Sequence, residues 1–492
     1  MKLKIDGVRK PLKFVKPRLH PAVLALVRAL VPLYFKVVLG LKLRPVQPEE
    51  IAGMAEEYRA FFSGESRLIL VFRHVHVHDA QVIYYLINHI LPRSVRLRRQ
   101  GRFRKRPHAH FLYGRGVPVW GGRWMEWLFS RAGGIPVFHR KLDREGLDTV
   151  RSYVKNGTYP IALAPEGQVT YHNEVVHPIE PGFAQIALWG RADMQAEGRG
   201  TDMRILPISQ YYTYAKDERE GAKLLQDLLG KLRVEAGLST LGCEGSPEST
   251  VQRLRAAGAE LLTSFENFYR ELYGLEHFSD PGDGIMADEC SRRRVERLVN
   301  GILEMLEEKY GILHPPAGVT PRIFVVRQAG WNRIFREKPD IFSRNPAGMA
   351  GGGKTEATPG STKEEVQKVL SPLEKSLSDF LAVEAGLFGR HLELVDLMAY
   401  LQPEHALESS DINRQIEFAL NLLDAASRME GGTIGQRYHP SSCEVSVRIG
   451  EAVSLNQMLD FSPDKSLRQL REDIVEEVTR QFEELSSRNP DR

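Results

Sequence analysis

Residues 67–87 read RLILVFRHVHVHDAQVIYYLI. The first six, Arg67-Leu-Ile-Leu-Val-Phe72, form a short apolar run with the length and composition of a buried strand. Asp79 suits the start of a helix, because Val82, Ile83, Leu86, Ile87 and Ile90 follow it at helical spacing. Strand, turn and helix in that order make one βα unit. The same alternation continues outward. Gly134-Ile-Pro-Val-Phe138 reads as a short extended segment, and Leu147 to Lys155 as a helix closed by Asn156-Gly157. Tyr159-Pro-Ile-Ala-Leu-Ala164 reads as a strand, Pro181 to Trp189 as a helix, and Arg204-Ile-Leu-Pro-Ile208 as a closing strand. Residues 66–210 are therefore expected to be α/β, a mainly parallel sheet flanked by helices.

Beyond residue 216 the pattern is helical, with helices expected at Glu220–Leu232, Thr250–Tyr273 and Ser291–Lys309. A Gly/Pro/Ser/Thr-rich linker occupies 345–362, and helical patterning resumes from Glu364 to about Met429. Cys443-Glu-Val-Ser-Val-Arg-Ile449 then alternates like a strand, and a last helix is expected from Ser466 to Leu485. At 492 residues and 42% hydrophobic, the chain is long enough for two folded units or one domain with a large insertion.

The net charge of +4 conceals a local extreme. Residues 93–106, RSVRLRRQGRFRKR, hold eight cations and no acid, which suits phosphate groups. A nucleic-acid module would interleave aromatics with such a run, and only Phe103 is there, so no nucleic-acid partner is expected. Leu19 to Leu43 is apolar but interrupted by Arg28, Pro32 and Lys36, a poor membrane span. With Arg28 and Lys36 on one narrow stripe, it is expected as a helix lying in a membrane interface, its cations among headgroups. Three widely spaced cysteines make no framework and fit a reducing compartment.

The sharpest chemical feature is His74-x4-Asp79 across the strand-to-helix turn. A carboxylate folded back onto the imidazole fixes its tautomer and frees the other ring nitrogen to accept a proton from a hydroxyl. The spacing alone is cheap, since His391 and Asp396 repeat it inside a helical stretch. Company separates the two. Pro165-Glu166-Gly167 directly follows a strand, where a carboxylate would point into the ligand crevice of an α/β sheet. Arg140 and Lys141 follow another extended segment, where arginine can hold phosphate bidentately.

His74-x4-Asp79, then GGIPVFHR ending at Arg140, then Pro165-Glu166-Gly167, then Ile205-Leu206-Pro207-Ile208 resemble, in order and spacing, the four motif blocks of the glycerolipid acyltransferases. That family includes the lysophosphatidate and glycerol-3-phosphate acyltransferases. The likeness covers roughly residues 65–210. It implies transfer of an acyl group from a thioester donor, acyl-CoA or acyl-carrier protein, to a lysophospholipid or polyol-phosphate hydroxyl, with no metal or other cofactor. His74 would be the general base and Asp79 its orienting partner, with Arg140, Lys141, Pro165, Glu166 and Gly167 binding substrate. A membrane-associated protein at the cytoplasmic face is the matching expectation.

Val445-Ser-Val-Arg-Ile-Gly-Glu451 resembles the segment that closes the family's domain, yet lies more than 230 residues after Pro207. The expected organisation is a basic N-terminus with an interfacial helix (1–50), an acyltransferase core (51–215), a helical insertion (216–440) and a return to the core (441–492). The third block departs from the family, with Gln168 and Val169 where Thr and Arg are common, which puts a phosphate-bearing acceptor in question. A non-catalytic lipid-binding scaffold on the same fold is the competing expectation, and loss of His74 or Asp79 would favour it.

Two other patterns fall away. Gly348 to Thr355 spells the phosphate-loop pattern, but no apolar strand precedes it and Pro359-Gly360 follows at once. His76 and His78 alternate with valines, are expected to face differently from His74, and lack a matching distal ligand set, so no metal site is expected.

Overall fold

The computed structural model describes residues 7–99, 101–122, 124–138, 143–239, 249–276, 287–335, 372–440, 443–461 and 464–487. Arg140, Lys141 and the 345–362 linker with its glycine-rich pattern lie outside them.

Eight strands form one sheet: β1 (Leu41–Leu43), β2 (Ser66–Phe72), β3 (His110–Gly114), β4 (Ile135–Val137), β5 (Ile161–Leu163), β6 (Asp202–Thr213), β7 (Cys443–Ile449) and β8 (Val453–Ser454). The order is β1-β7-β6-β2-β5-β3-β4, with β8 beside β6. From β6 through β4 every pairing is parallel, whereas β7 and β8 run antiparallel to β6 and β1 runs parallel to β7. The fold is α/β, a mostly parallel mixed sheet with flanking helices.

β2 is buried along its whole length. Leu68, Leu70 and Phe72 enter the larger apolar core on one face, and Ile69 and Val71 enter a second core on the other. A continuous apolar run is what a central strand covered on both faces requires. From β2 the chain crosses toward β3 by the helical segment Asp79–Leu97, whose Val82, Ile83, Leu86 and Leu91 fill the larger core. The helices Arg144–Asn156 and Gly182–Ala196 bring it back toward β6 on the opposite face, where Val150, Val154, Phe183 and Ala187 fill the second core. The direction of travel thus reverses around β2, and such a switch point opens a crevice at the carboxyl ends of the strands.

The C-terminal segment joins this sheet. Ile208 pairs with Ile449, and Gly450 donates its N–H to the Pro207 carbonyl at 2.9 Å. The final helix, Leu467–Ser487, packs Leu470, Ile474, Val478 and Phe482 into the second core. Among the described residues the intervening helices share a core with the sheet. Leu225, Ile302, Phe418 and Leu422 belong to the same apolar cluster as Leu70 and Phe72. Helix Ile412–Met429 is buried from Gln415 to Ala426 without a break, so it sits inside the molecule rather than on it.

Several elements exceed the sequence expectations. β6 runs twelve residues, β1 and β3 were not anticipated, nor were helices Pro48–Ser63 and Val319–Ile334. β1 places part of the first fifty residues in the sheet, and Pro48–Ser63 straddles the expected boundary at residue 50.

The N-terminal helix Pro21–Tyr34 continues through a wide π turn, Phe35–Leu39, and ends at Gly40, whose φ of 60° is left-handed. By length and composition these 19 residues suffice to cross a bilayer. The expected outward cationic stripe is corrected at Arg28, while Lys36 is exposed as expected. Arg28 turns inward, donating to Asn88 Oδ1 at 2.7 Å and to the Pro107 carbonyl at 3.1 Å. A guanidinium finds acceptors at the helix–core contact, and the outer face carries Lys36 with Leu26, Leu30, Leu33, Val37 and Val38, these five all more than half exposed.

Candidate active site

Arg73 and His74 follow β2 directly, at the carboxyl end of the parallel strands. The chain then turns through 75–78, and Asp79 opens the helix. Because the turn brings residue 79 back over residue 74, the His74 Nδ1 lies 3.2 Å from Asp79 Oδ2. The imidazole is 24% exposed and the carboxylate fully buried. One member is partly open to solvent and the other is anchored in protein.

Asp79 is held from three directions. Its Oδ2 accepts the His76 backbone N–H at 2.6 Å as well as the His74 ring contact, and its Oδ1 accepts the Tyr212 hydroxyl at 2.5 Å. Burial, with the Asp79 carboxylate beside it, pushes the Tyr212 phenol well above its ordinary range, so it stays protonated and donates. A buried carboxylate with its lone pairs occupied in this way is fixed in orientation.

Glu166 lies where the sequence put it, after β5, but its carboxylate is not free for a ligand. It is 3% exposed. Oε1 receives the Arg73 Nε at 3.2 Å and Oε2 receives the His74 backbone N–H. The expectation that Glu166 points into the crevice is therefore corrected: it clamps the end of β2. Arg73 is buried completely, and its remaining donors reach the carbonyls of His172, Asn173 and Val175 and the Ser486 hydroxyl. A buried arginine needs both a counter-charge and acceptors for its fork, and it has both.

Pro165 is buried and its carbonyl accepts from Glu180 N–H at 2.7 Å. Gly167 has φ +75°, a left-handed turn that favours glycine. Thr170 ties this loop back to the site by donating its N–H to the His74 carbonyl at 2.8 Å.

Sequence reasoning missed four supporting residues: Arg73, Tyr212, Asn173 and Glu417. Asn173 bonds both the N–H and the carbonyl of Tyr212, at 2.7 and 3.0 Å. Glu417, from the buried helix Ile412–Met429, accepts the Asn173 N–H at 3.1 Å and meets His172 Nδ1 at 3.2 Å. The inserted helices thus brace the residues that brace Asp79. A charge directly after an apolar strand was a usable signal for Arg73. Nothing local marked the other three.

His76 and His78 meet His439 rather than His74. The three ring centroids lie 5.0 to 5.3 Å apart, and His76 also stacks on Tyr212 at 4.7 Å. Burial, with neighbouring histidines, lowers His76 well below its ordinary value and brings His78 to about 4. His172 and His177 are both buried. Among the described residues no group of three or more His, Cys, Asp or Glu side chains is placed to hold a metal ion.

The 93–106 cations are exposed, and the run starts well along the crossover helix from Asp79. Asp79 to Arg93 along the crossover helix, which includes the π turn Leu86–Ile90, is on the order of 20 Å. The helix begins at the site and carries the basic run away from it, beside the N-terminal helix, where Arg106 donates to the Asn88 carbonyl at 3.2 Å.

No family model, curated protein or solved structure matches this chain.

Proposed function

We propose that the protein transfers an acyl group from a thioester, acyl-CoA or acyl-carrier protein, to a hydroxyl of a lysophospholipid or polyol-phosphate acceptor. The observation that carries this reading is the contact of His74 Nδ1 with the buried Asp79 Oδ2, made by a partly exposed ring at the carboxyl end of β2. Asp79 favours the tautomer with the proton on Nδ1, which leaves the Nε2 lone pair free.

In the reaction, Nε2 takes the acceptor's hydroxyl proton as its oxygen attacks the thioester carbonyl carbon. The tetrahedral intermediate collapses by breaking the C–S bond, and the imidazolium returns the proton to the departing sulfur. Asp79 stabilises the transient imidazolium. The acyl group passes directly from donor to acceptor, without an acyl-enzyme.

A lipid surface is the proposed setting. Leu26, Leu30, Leu33, Val37 and Val38 present an exposed apolar face, and Trp124 (64%) and Trp127 (57%) are exposed on the neighbouring helix Trp124–Arg131. Arg106 of the exposed basic run reaches Asn88, the acceptor of Arg28 from the same N-terminal helix, and cations near that helix suit anionic headgroups. The proposed place of action is the cytoplasmic side of a membrane, in phospholipid biosynthesis.

The test is thiol release from a long-chain acyl-CoA, then from acyl-carrier protein, with glycerol-3-phosphate, lysophosphatidate and other lysophospholipids offered singly on liposomes. Release that requires one acceptor and disappears in His74→Ala supports the reading and names the acceptor. Equal release from His74→Ala would sink the mechanism. Silence with both donors and every acceptor would sink the enzyme reading and leave a lipid-binding scaffold.

A further inference from the structure

Helix Pro372–Met398, within the inserted region, carries an apolar stripe left exposed among the described residues. Leu373 is 67% exposed, Leu377 39%, Phe380 67% and Leu387 42%. At 100° per residue the four fall within an arc of about 80°. Ser378, Ala382 and Ala385 form the buried side of the same helix, and buried Phe388, about 20° round from Leu377, marks where the stripe meets the core. Glu384 lies on the same arc and is neutralised by Arg333 at 3.1 Å.

The surroundings say what would cover it. A single backbone segment, 8–20, connects this helix to the apolar surface assigned above to lipid. Val8 N–H donates to Asp379 Oδ1 at 2.8 Å, on the flank of the stripe. Arg9 N–H donates to the Ile334 carbonyl at 2.7 Å, and Arg18 and His20 donate to the Ser130 and Arg131 carbonyls at 2.8 Å. The segment then becomes the helix bearing Leu26, Leu30 and Leu33. Between its two anchors Lys10, Lys13, Lys16 and Arg18 are exposed. Two apolar patches are thus joined by a strap of exposed cations with no acid between Val8 and His20.

We infer that the stripe Leu373, Leu377, Phe380 and Leu387 is a second lipid contact, and that the inserted region helps seat the protein on an anionic bilayer. Apolar side chains flanked by lysines match the interfacial chemistry of such a surface. The acyl chains take up the apolar groups, and the headgroup phosphates sit opposite the cations. A second copy of this chain would offer the stripe an apolar partner but would place cations against cations. This inference rests on the lipid-surface part of the proposed function and not on its chemistry.

The experiment is co-sedimentation of the 492-residue chain with phosphatidylcholine vesicles and with vesicles that also contain phosphatidylglycerol as the anionic lipid. Three variants are compared with wild type: Leu377→Ser/Phe380→Ser, Leu30→Ser/Leu33→Ser, and Lys10→Gln/Lys13→Gln/Lys16→Gln. All substituted side chains are partly or largely exposed, and unchanged melting temperatures would show that folding is intact. The expected result is at least tenfold weaker binding to anionic vesicles for each variant, with the lysine variant unchanged on pure phosphatidylcholine. Wild-type binding by Leu377→Ser/Phe380→Ser, while Leu30→Ser/Leu33→Ser fails, would overturn this inference and leave the N-terminal helix as the lipid contact. A dimer that dissociates in Leu377→Ser/Phe380→Ser with vesicle binding unchanged would also overturn it, assigning the stripe to self-association. Failure of wild type to bind either vesicle would overturn it together with the lipid-surface reading, and thiol release with soluble glycerol-3-phosphate would still judge the chemistry separately.

Discussion

The chain contains His-x4-Asp twice, and the two copies do different things. His391 and Asp396 lie on one uninterrupted helix, where five residues turn through about 500°, so the side chains point roughly 140° apart. They never meet. His391 is held between two phenols, Tyr269 on Nδ1 and Tyr273 on Nε2, each at 2.8 Å, and Asp396 pairs with Arg327. Both ring nitrogens are occupied, so no proton can be exchanged with a substrate without breaking a structural bond. His74 ends a strand and Asp79 begins a helix, and the turn between them closes the pair to 3.2 Å. Spacing carries no chemistry until secondary structure decides whether it spans a turn or a helix.

That contrast is most severely tested by deleting each histidine. His74→Ala should lower the proposed acyl transfer by at least 10³-fold, about 4 kcal/mol in barrier, whereas His391→Gln should change turnover by less than about twofold. Steady-state thiol release on both proteins measures it, and comparable losses in the two would erase the distinction.

Acid stability probes the pairs next. Burial lowers His391 to about 4, below the value near 6.5 that it regains on unfolding. Between those limits the unfolded chain binds a proton that the folded one does not, so stability is full above pH 6.5 and falls as pH drops toward 4. Replacing His391 by Gln keeps a hydrogen-bonding group and removes the titration. The loss of unfolding free energy from pH 7 to pH 4, read by urea titration, should shrink by about 3 kcal/mol relative to wild type. An identical pH slope would mean that His391 is not kept neutral by the fold.

The smallest effect sharpens what distinguishes the first pair. Tyr212→Phe leaves one oxygen of Asp79 without its donor but keeps the ring stacked on His76. Turnover should fall about tenfold, about 1.4 kcal/mol, with the acceptor KM little changed and a smaller loss of stability. A drop in KM affinity with unchanged kcat would place Tyr212 at substrate binding instead.

Much of the fold was legible because burial on both faces leaves a strong local trace. Arg67–Phe72 and Cys443–Ile449 were visible as strands, and Thr250–Tyr273 as a helix to its last residue, capped by Ser249 and stopped by Gly274. β1 was not visible, because three residues after an apolar helix carry no alternation worth reading. Of the site, His74 and Asp79 could be named from sequence because one turn brings them together. The role of Glu166 was misread. A carboxylate after a strand points either at ligand or at a buried cation, and only the position of Arg73 decides which.

The amino-acid sequence by itself determined the βα order, the strand–turn–helix that closes His74 on Asp79, and the apolar character of residues 21–39. Each depends on interactions within a few residues along the chain. Only the tertiary structure decided that Glu417 reaches Asn173, that Asn173 fixes Tyr212, and that Tyr212 holds Asp79. Only it turned Arg28 inward and left Leu377 and Phe380 outside. Those contacts join residues tens to hundreds of positions apart, and their partners are chosen by how helices pack around the sheet, which no local pattern encodes.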